Sequence, residues 1–168
     1  MVKKFLSIFI ILAFAFCASS IQAEEGITLH SGVSLVDKIP KEFYGTWRVT
    51  STLTSTNSEA SFKPNSVDLW NLSRVGNVIT LDNPFSGAKA SITVDAVNNK
   101  LIKFKKKGDY DSKKLTDIVQ LSLNGDKFSG VNNLLLETFS STDGSLIKSE
   151  KATYKLTGEK ISGSSIAK

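Results

Sequence analysis

Few residues in this sequence have side chains suited to catalysis or metal binding. It has a single histidine, His30, and a single cysteine, Cys17. Carboxylates are more numerous, and a pair of them on a β scaffold is the arrangement that hydrolyses glycosides. The acids that lie in strand-like segments are Asp68, Asp95, Asp117, Glu137 and Glu150.

Alternation of apolar and polar residues predicts that most of these acids point outward. Asp117 differs, because it shares the side of Val119 and Leu121 and should face inward. One inward acid does not make a hydrolase. His30 lies in a polar leader, and the sequence has no Gly-x-Ser-x-Gly motif for a serine nucleophile. We therefore predict that the protein is not an enzyme and uses no metal or cofactor.

The N-terminal segment has the pattern of an export signal. Lys3 and Lys4 precede an apolar run that ends at Cys17, and small residues stand shortly before Glu24. The run is too short for a transmembrane helix. We expect cleavage after Ala23, a secreted or periplasmic location and a mature chain with no transmembrane segment. Since Cys17 leaves with the signal, disulfides and cysteine-ligated zinc are excluded.

Size and charge indicate one small, mildly basic domain. Removing residues 1–23 from 168 leaves 145, enough for a single core. We divide the chain into the signal peptide (1–23), a leader that closes the domain (24–40) and one β domain (41–168). Removal of the signal takes away two lysines. The mature chain then has 19 basic residues against 16 acidic ones, a net charge of +3. With only two arginines, the chain is not expected to bind nucleic acid, and we expect a monomer.

An all-β fold is predicted by runs of Val, Ile, Thr and Phe that alternate with polar residues. In the clearest run, Ala90, Ile92 and Val94 point one way while Ser91 and Thr93 point the other. The predicted strands are 45–55, 66–75, 78–82, 88–97, 100–106, 115–123, 127–139, 146–156 and 160–166.

Residues that favour tight turns separate these runs. The predicted turns are Gly76-Asn77, Asn98-Asn99, Asn124-Gly125, Asp143-Gly144 and Gly158-Glu159. Only Ser55–Asn65 and Lys107–Lys114 look like longer loops. Eight or nine strands joined mainly by hairpins predict an antiparallel up-and-down meander closed into a barrel, because closure removes both exposed edges. The alternative is a two-sheet β-sandwich.

The segment around Gly45-Thr46-Trp47 resembles the opening of a calycin barrel, the group that includes lipocalins, fatty-acid-binding proteins and bacterial lipocalin-like domains. In these families the glycine allows a tight entry into the first strand and the tryptophan closes one end of the barrel. The resemblance implies a lipocalin-like barrel in which Gly45 and Trp47 are structural. It also implies a basic residue of the last strand over Trp47, and Lys155 and Lys151 are the candidates.

Inward residues of such a barrel would line a ligand cavity or fill the interior. Trp70 belongs to the packed core or to the cavity wall, and packing is the commoner role of a large aromatic residue. The small side chains of Ser51 and Ala90 would leave space. The candidate liners are Val49, Ser51, Leu53, Trp70, Ala90, Ile92, Phe104, Leu121, Leu134 and Leu136.

A lysine-rich stretch is the most unusual feature of the composition. We interpret it as a solvated strand and loop, or as a basic patch for an anionic envelope surface. Its residues are Lys103, Lys105, Lys106, Lys107, Lys113 and Lys114.

These observations leave two functions open. The first is an exported, non-enzymatic protein that holds a small hydrophobic or amphipathic ligand in its barrel. The second is a filled barrel that acts through its surface on envelope components, polysaccharide or a partner protein.

Overall fold

The chain enters the barrel through two short 3₁₀ helices, Leu35–Lys38 and Lys41–Phe43. Ser34 caps the first helix, because its Oγ accepts a hydrogen bond from the backbone N–H of Val36 at 3.2 Å. Phe43 is fully buried at the end of the second. In this computed structural model residues 34–84, 87–163 and 165–166 are described. The predicted signal peptide and His30 lie outside the described residues.

Strands make up nearly all of the remaining described chain. They are β1 (Gly45–Thr56), β2 (Asn65–Val75), β3 (Val78–Asp82), β4 (Lys89–Asn98), β5 (Leu101–Tyr110), β6 (Lys113–Asn124), β7 (Lys127–Phe139), β8 (Leu146–Ser162) and β9 (Ser165–Ile166).

The strands form a closed antiparallel barrel. Each strand from β1 to β8 pairs with its neighbours in sequence, and β1 also pairs with β8, so the sheet has no open edge between them. The short β9 adds to β2 in parallel at Ser73 and Arg74, beyond the end of the β1–β2 pairing. The predicted up-and-down barrel is confirmed, and the two-sheet sandwich is wrong.

One predicted loop is wrong. Lys107–Lys114 is not a loop, because β5 continues to Tyr110 and β6 resumes at Lys113. The link is the two residues Asp111 and Ser112, and Asp111 takes the left-handed backbone conformation with φ 49°. Turn glycine and asparagine are absent here, and aspartate is one of the few other residues that tolerate this conformation.

One predicted turn is also wrong. Gly158-Glu159 lies within β8, which runs without a break from Leu146 to Ser162. Gly158 faces the interior, and a Cβ atom there would lie 2.1 Å from the Phe128 ring. The glycine therefore provides room for an aromatic ring rather than a turn. The other four predicted turns are confirmed, with left-handed residues at Gly76, Asn99, Gly125 and Gly144.

The core follows the alternation of the strands. Residues of even number point inward on β5, β7 and β8, and odd-numbered residues do so on β1 and β6. A bulge between Val94 and Ala96 shifts this phase within β4. One face of each strand therefore lines the interior of the barrel, where the apolar side chains pack as one cluster.

Candidate ligand-binding cavity

One end of the barrel is closed by aromatic side chains. Trp47 has no exposed surface, and its Nε1 donates a hydrogen bond to the backbone oxygen of Phe43 at 2.9 Å. Gly45 begins the strand at φ 125°, and a Cβ atom there would lie 2.6 Å from the backbone oxygen of Ser162. This close approach requires glycine.

The basic residue over this tryptophan is Lys160. Its Nζ lies 5.2 Å from the Trp47 ring centroid and donates to the backbone oxygen of Glu42 at 2.8 Å. The expectation of Lys155 or Lys151 is wrong, because both are exposed and alternate with the inward residues of β8. Lys160 lies where the strand continues beyond Gly158.

A chain of aromatic contacts leads from Trp47 into the barrel. The Phe128 ring lies 5.1 Å from Trp47 on one side and stacks on Trp70 at 6.1 Å on the other. Trp70 also meets Phe104 edge to face at 6.5 Å. Only 7 % of Trp70 is exposed, yet it borders open space on its remaining side. Trp70 thus belongs to both the packed core and the wall of a cavity.

The opposite half of the barrel contains open space. A cavity of ≈ 380 Å³ lies beneath the β1–β2 connection, and a second of ≈ 200 Å³ lies beside the β3–β4 connection. Four residues border both: Asp68, Trp70, Lys106 and Leu115. We refer to the two spaces together as the mouth cavity.

An ion pair lies in the wall of the mouth cavity, with its carboxylate buried and its lysine side chain 31 % exposed. Asp117 is only 2 % exposed, and its Oδ2 lies 3.1 Å from the Nζ of Lys106. Its other oxygen accepts a hydrogen bond from the Asn132 side-chain amide at 3.2 Å. The Asn132 Oδ1 is buried without a hydrogen-bond partner among the described residues, and the geometry at Asp117 Oδ2 also falls short of a hydrogen bond. Buried charge of this kind is costly unless it is fully paired.

Two further polar groups line the same space. Asp68 is half-buried, and its Oδ1 accepts hydrogen bonds from the backbone N–H of Leu69 at 3.0 Å and from the Asn83 side-chain amide. Tyr154 is 7 % exposed, and its hydroxyl donates to the backbone oxygen of Lys63 at 3.0 Å. This bond ties the β1–β2 connection over the cavity.

Glu150 stands inward near the start of β8, where it is 5 % exposed. Lys148 Nζ and the Ser61 hydroxyl each lie 2.7 Å from its Oε1. The lysine, with Ser58 and Ser61, lowers the pKa of Glu150 to about 2. The sequence-based prediction that this acid points outward is wrong, because Glu150 alternates with the buried residues Ala152 and Tyr154. Asp68 also points inward, which the same prediction missed. Asp117 points inward, as its alternation with Val119 and Leu121 predicted.

The predicted cavity liners divide between the two halves of the barrel. Ser51, Trp70 and Leu134 border the larger space, and Ala90 borders the smaller one. Val49, Ile92, Phe104 and Leu121 belong to the buried core cluster, and the partly buried Leu53 and Leu136 pack against it. Their role in ligand binding stays a prediction.

The sequence analysis did not predict Asp68, Asn132 and Tyr154 as site residues, and it predicted Lys106 only as part of a surface patch. Lys106 carried a usable signal, since it alternates with the buried residues Ile102 and Phe104 on β5.

The lysine-rich stretch is not one surface. Lys103, Lys105 and Lys107 lie on the outer face of β5, whereas Lys106 lines the interior. Lys105 pairs with Asp95 at 3.2 Å. Lys113 and Lys114 flank the β5–β6 turn, and Lys114 lies 5.0 Å from the Phe139 ring centroid. The predicted patch is wrong at Lys106, because alternation separates neighbours in sequence onto opposite faces.

Across residues 34–84, 87–163 and 165–166, no group of three or more histidine, cysteine, aspartate or glutamate residues is placed to hold a metal ion. Within the same residues, no helix is long and apolar enough to cross a membrane.

Comparison with known proteins gives a faint likeness of fold. No family model matches the sequence, and no curated protein matches it. The chain is similar in structure to EF1p2_mFAP2b bound to DFHBI, with a TM-score of 0.41 and 12 % sequence identity over 76 % of this chain and 98 % of that one. A likeness this distant supports no inference about what this chain binds.

Proposed function

We propose that the protein is a non-enzymatic binding protein that holds one small amphipathic molecule in the mouth cavity. The observation that carries this proposal is the pair of Lys106 with the buried Asp117, 3.1 Å between Nζ and Oδ2, among apolar liners such as Trp70 and Leu134. A barrel filled only for stability would gain more from apolar side chains of similar volume. Charged groups kept next to open space are typical of binding sites.

The dimensions of the cavity fit a small molecule. Its larger space, ≈ 380 Å³, falls within the range of about 300–1,000 Å³ that is usual for ligand pockets. Its lining combines apolar side chains, among them Phe62, Leu115 and Leu134, with the charged groups of Asp68, Lys106 and Asp117. The arrangement favours an amphipathic ligand over a purely hydrophobic one.

The proposal includes a lipocalin-like identity and export from the cytoplasm. Three observations support the calycin resemblance: glycine at position 45 where β1 begins, the buried Trp47, and the Lys160 ammonium group over the Trp47 ring. The signal pattern of residues 1–23 supports a secreted or periplasmic location, with a small ligand as the partner of a monomer.

Native mass spectrometry of the full-length sequence, expressed with its leader and purified without detergent, tests this function. We expect an additional mass that organic extraction removes, and uptake of 2-naphthylmethanol by the extracted protein. Ser51→Phe should block both, because Ser51 lines the cavity. Thr52→Phe is the matched control, since the next residue is exposed on the outer face. A clean apo mass with no uptake of the probe would overturn the proposal.

A second candidate function is contact with an anionic polymer of the envelope. Lys103, Lys105 and Lys107 alternate along the outer face of β5, at intervals of about 7 Å. Binding through them would weaken with salt and with Lys→Gln changes at all three positions. Ser51→Phe would leave such binding intact, which separates the two functions.

A further inference from the structure

The two carboxylates that line the mouth cavity, Asp68 and Asp117, differ in their partners. Lys106 and Asp117 offset each other at 3.1 Å. Asp68 borders both spaces, and the hydrogen bonds to its Oδ1 come from neutral donors, the Leu69 N–H and the Asn83 amide. Among the described residues, no lysine or arginine forms an ion pair with Asp68. A partly desolvated charge is stabilised by an opposite charge at close range.

The hydrogen-bond groups are unbalanced in the same direction. Two buried atoms of the wall lack a hydrogen bond within the described chain, Asp117 Oδ2 and Asn132 Oδ1, and both are acceptors. They have almost no accessible surface, so they act on a ligand through their negative potential rather than by direct contact. The unpaired hydrogen-bond groups of the wall are therefore acceptors, although Lys63, Lys89, Lys106 and Lys107 also line the two spaces.

Aromatic side chains lie beside the Asp68 carboxylate. Trp70 follows Asp68 by two residues on the same strand face, so the two lie about 7 Å apart. Tyr110 borders the smaller space. An aromatic ring next to a carboxylate is the combination that attracts an organic cation, because the ring face is electron-rich.

The lysines at the rim oppose a cation only weakly. Lys63, Lys89 and Lys107 border the cavity and are exposed, and Lys89 lies 4.0 Å from the carboxylate of Asp82. Exposed charges are screened by salt over about 8–10 Å, whereas the half-buried Asp68 is screened less.

From these observations we infer that the mouth cavity selects a small organic amine, with its ammonium group at Asp68 and its apolar body against Trp70 and Leu115. The inference rests on the proposed function and gives the chemical class of its ligand.

Three probes of one shape test the inference. They are 2-naphthylmethylamine, 2-naphthylmethanol and 2-naphthoate, which are cationic, neutral and anionic at pH 7, and their affinities are measured by isothermal titration calorimetry on the full chain. We expect the amine to bind roughly tenfold more tightly than the alcohol, since hydrogen bonds to charged groups are about twice as strong as neutral ones. The naphthoate should bind most weakly.

Substitutions assign the preference to a residue. Asp68→Asn should bring the ratio of amine to alcohol affinity close to one, and Asp68→Glu should keep the preference. The matched control is Asp109→Asn on the exposed outer face of β5, which should leave the ratio unchanged. The double variant Lys106→Met/Asp117→Leu should also keep the preference, because the pair it removes is neutral overall. Circular dichroism checks that each variant is folded.

The outcomes separate this inference from the proposed function. Equal binding of all three probes, tightest binding of the naphthoate, or loss of the preference only in the double variant would overturn the inference while leaving a ligand-binding cavity. Binding of none of the probes, together with a clean apo mass, would overturn both.

Discussion

The two halves of this barrel follow the same strand alternation but have different interiors. In the half near Trp47, inward residues such as Phe104, Leu121 and Ile102 have no exposed surface, and glycine at position 158 makes room for the Phe128 ring. In the other half, the same inward positions include Lys106 and Asp117 beside open space. Tight packing is therefore concentrated in one half, and open space lies in the other.

Equal substitutions in the two halves should have unequal costs. Leu121→Ala removes a fully buried side chain and should lower the free energy of unfolding by about 3–4 kcal/mol. Leu134→Ala, next to an existing cavity, should cost only about 1–2 kcal/mol, because fewer packing contacts are lost. Urea unfolding monitored by tryptophan fluorescence measures both. Equal losses would show that the mouth cavity is packed as tightly as the core.

The buried ion pair should respond differently to single and double substitution. Lys106→Met leaves the Asp117 carboxylate buried without its cation and should cost about 3 kcal/mol. Lys106→Met/Asp117→Leu should return to within about 1 kcal/mol of the original stability, since both charges are gone. Urea unfolding of these two variants and of Asp117→Leu gives the coupling energy of the pair. A double variant as unstable as the single one would mean that the pair itself stabilises the barrel.

The barrel could be predicted from the sequence because its signals are local. Alternation in runs such as Ala90 to Val94 and turn residues such as Asn124-Gly125 depend on neighbouring residues only. The errors have one local and one long-range cause. Asp111-Ser112 has no glycine or asparagine to mark its turn, and Gly158 has the residue type of a turn but serves a packing role that depends on Phe128, thirty positions away in sequence.

The mouth cavity was only partly predictable. Its small liners Ser51 and Ala90 followed from alternation. The lysine-rich composition of β5 indicated a surface patch, although alternation places Lys106 inward. The volume itself could not be predicted, because it depends on how the β1–β2 connection covers the barrel. That connection places Phe62 at 8 % exposure and is held by the bond from Tyr154 to Lys63.

A side chain at Gly158 tests how tightly the packed half is filled. Gly158→Ala would place a methyl group 2.1 Å from the present position of the Phe128 ring, so the ring must move. We expect a loss of about 1–3 kcal/mol, as is usual for overpacked cores, again measured by urea unfolding. Gly125→Ala serves as a control for a glycine with open space around it, although its φ of 60° adds a strain of about 1 kcal/mol. If Gly158→Ala costs no more than the control, the ring is not tightly held.

The free energy of unfolding should depend on pH through Glu150, which lies near the rim of the open half. Its pKa is lowered to about 2 in the folded state, first by the hydrogen bond with Lys148, from a value of 4.5 in the unfolded chain. Because the folded pKa is the lower one, the stabilisation is complete above pH 4.5 and is lost as the pH falls towards 2. The difference in unfolding free energy between the original protein and Glu150→Gln should shrink across that window. A difference that stays constant from pH 6 to 2 would contradict the assignment.

The smallest effect is expected at the residue next to Lys106. Lys105 faces outward, and its pair with Asp95 at 3.2 Å is partly exposed, so Lys105→Met should change the free energy of unfolding by less than about 1 kcal/mol. The two adjacent lysines receive the same substitution, and only the face of the sheet differs. Urea unfolding at low and high salt distinguishes them, because screening should remove the small Lys105 effect and leave most of the Lys106 effect. Equal effects at the two positions would mean that Lys106 stabilises the buried Asp117 no more than Lys105 stabilises the partly exposed Asp95.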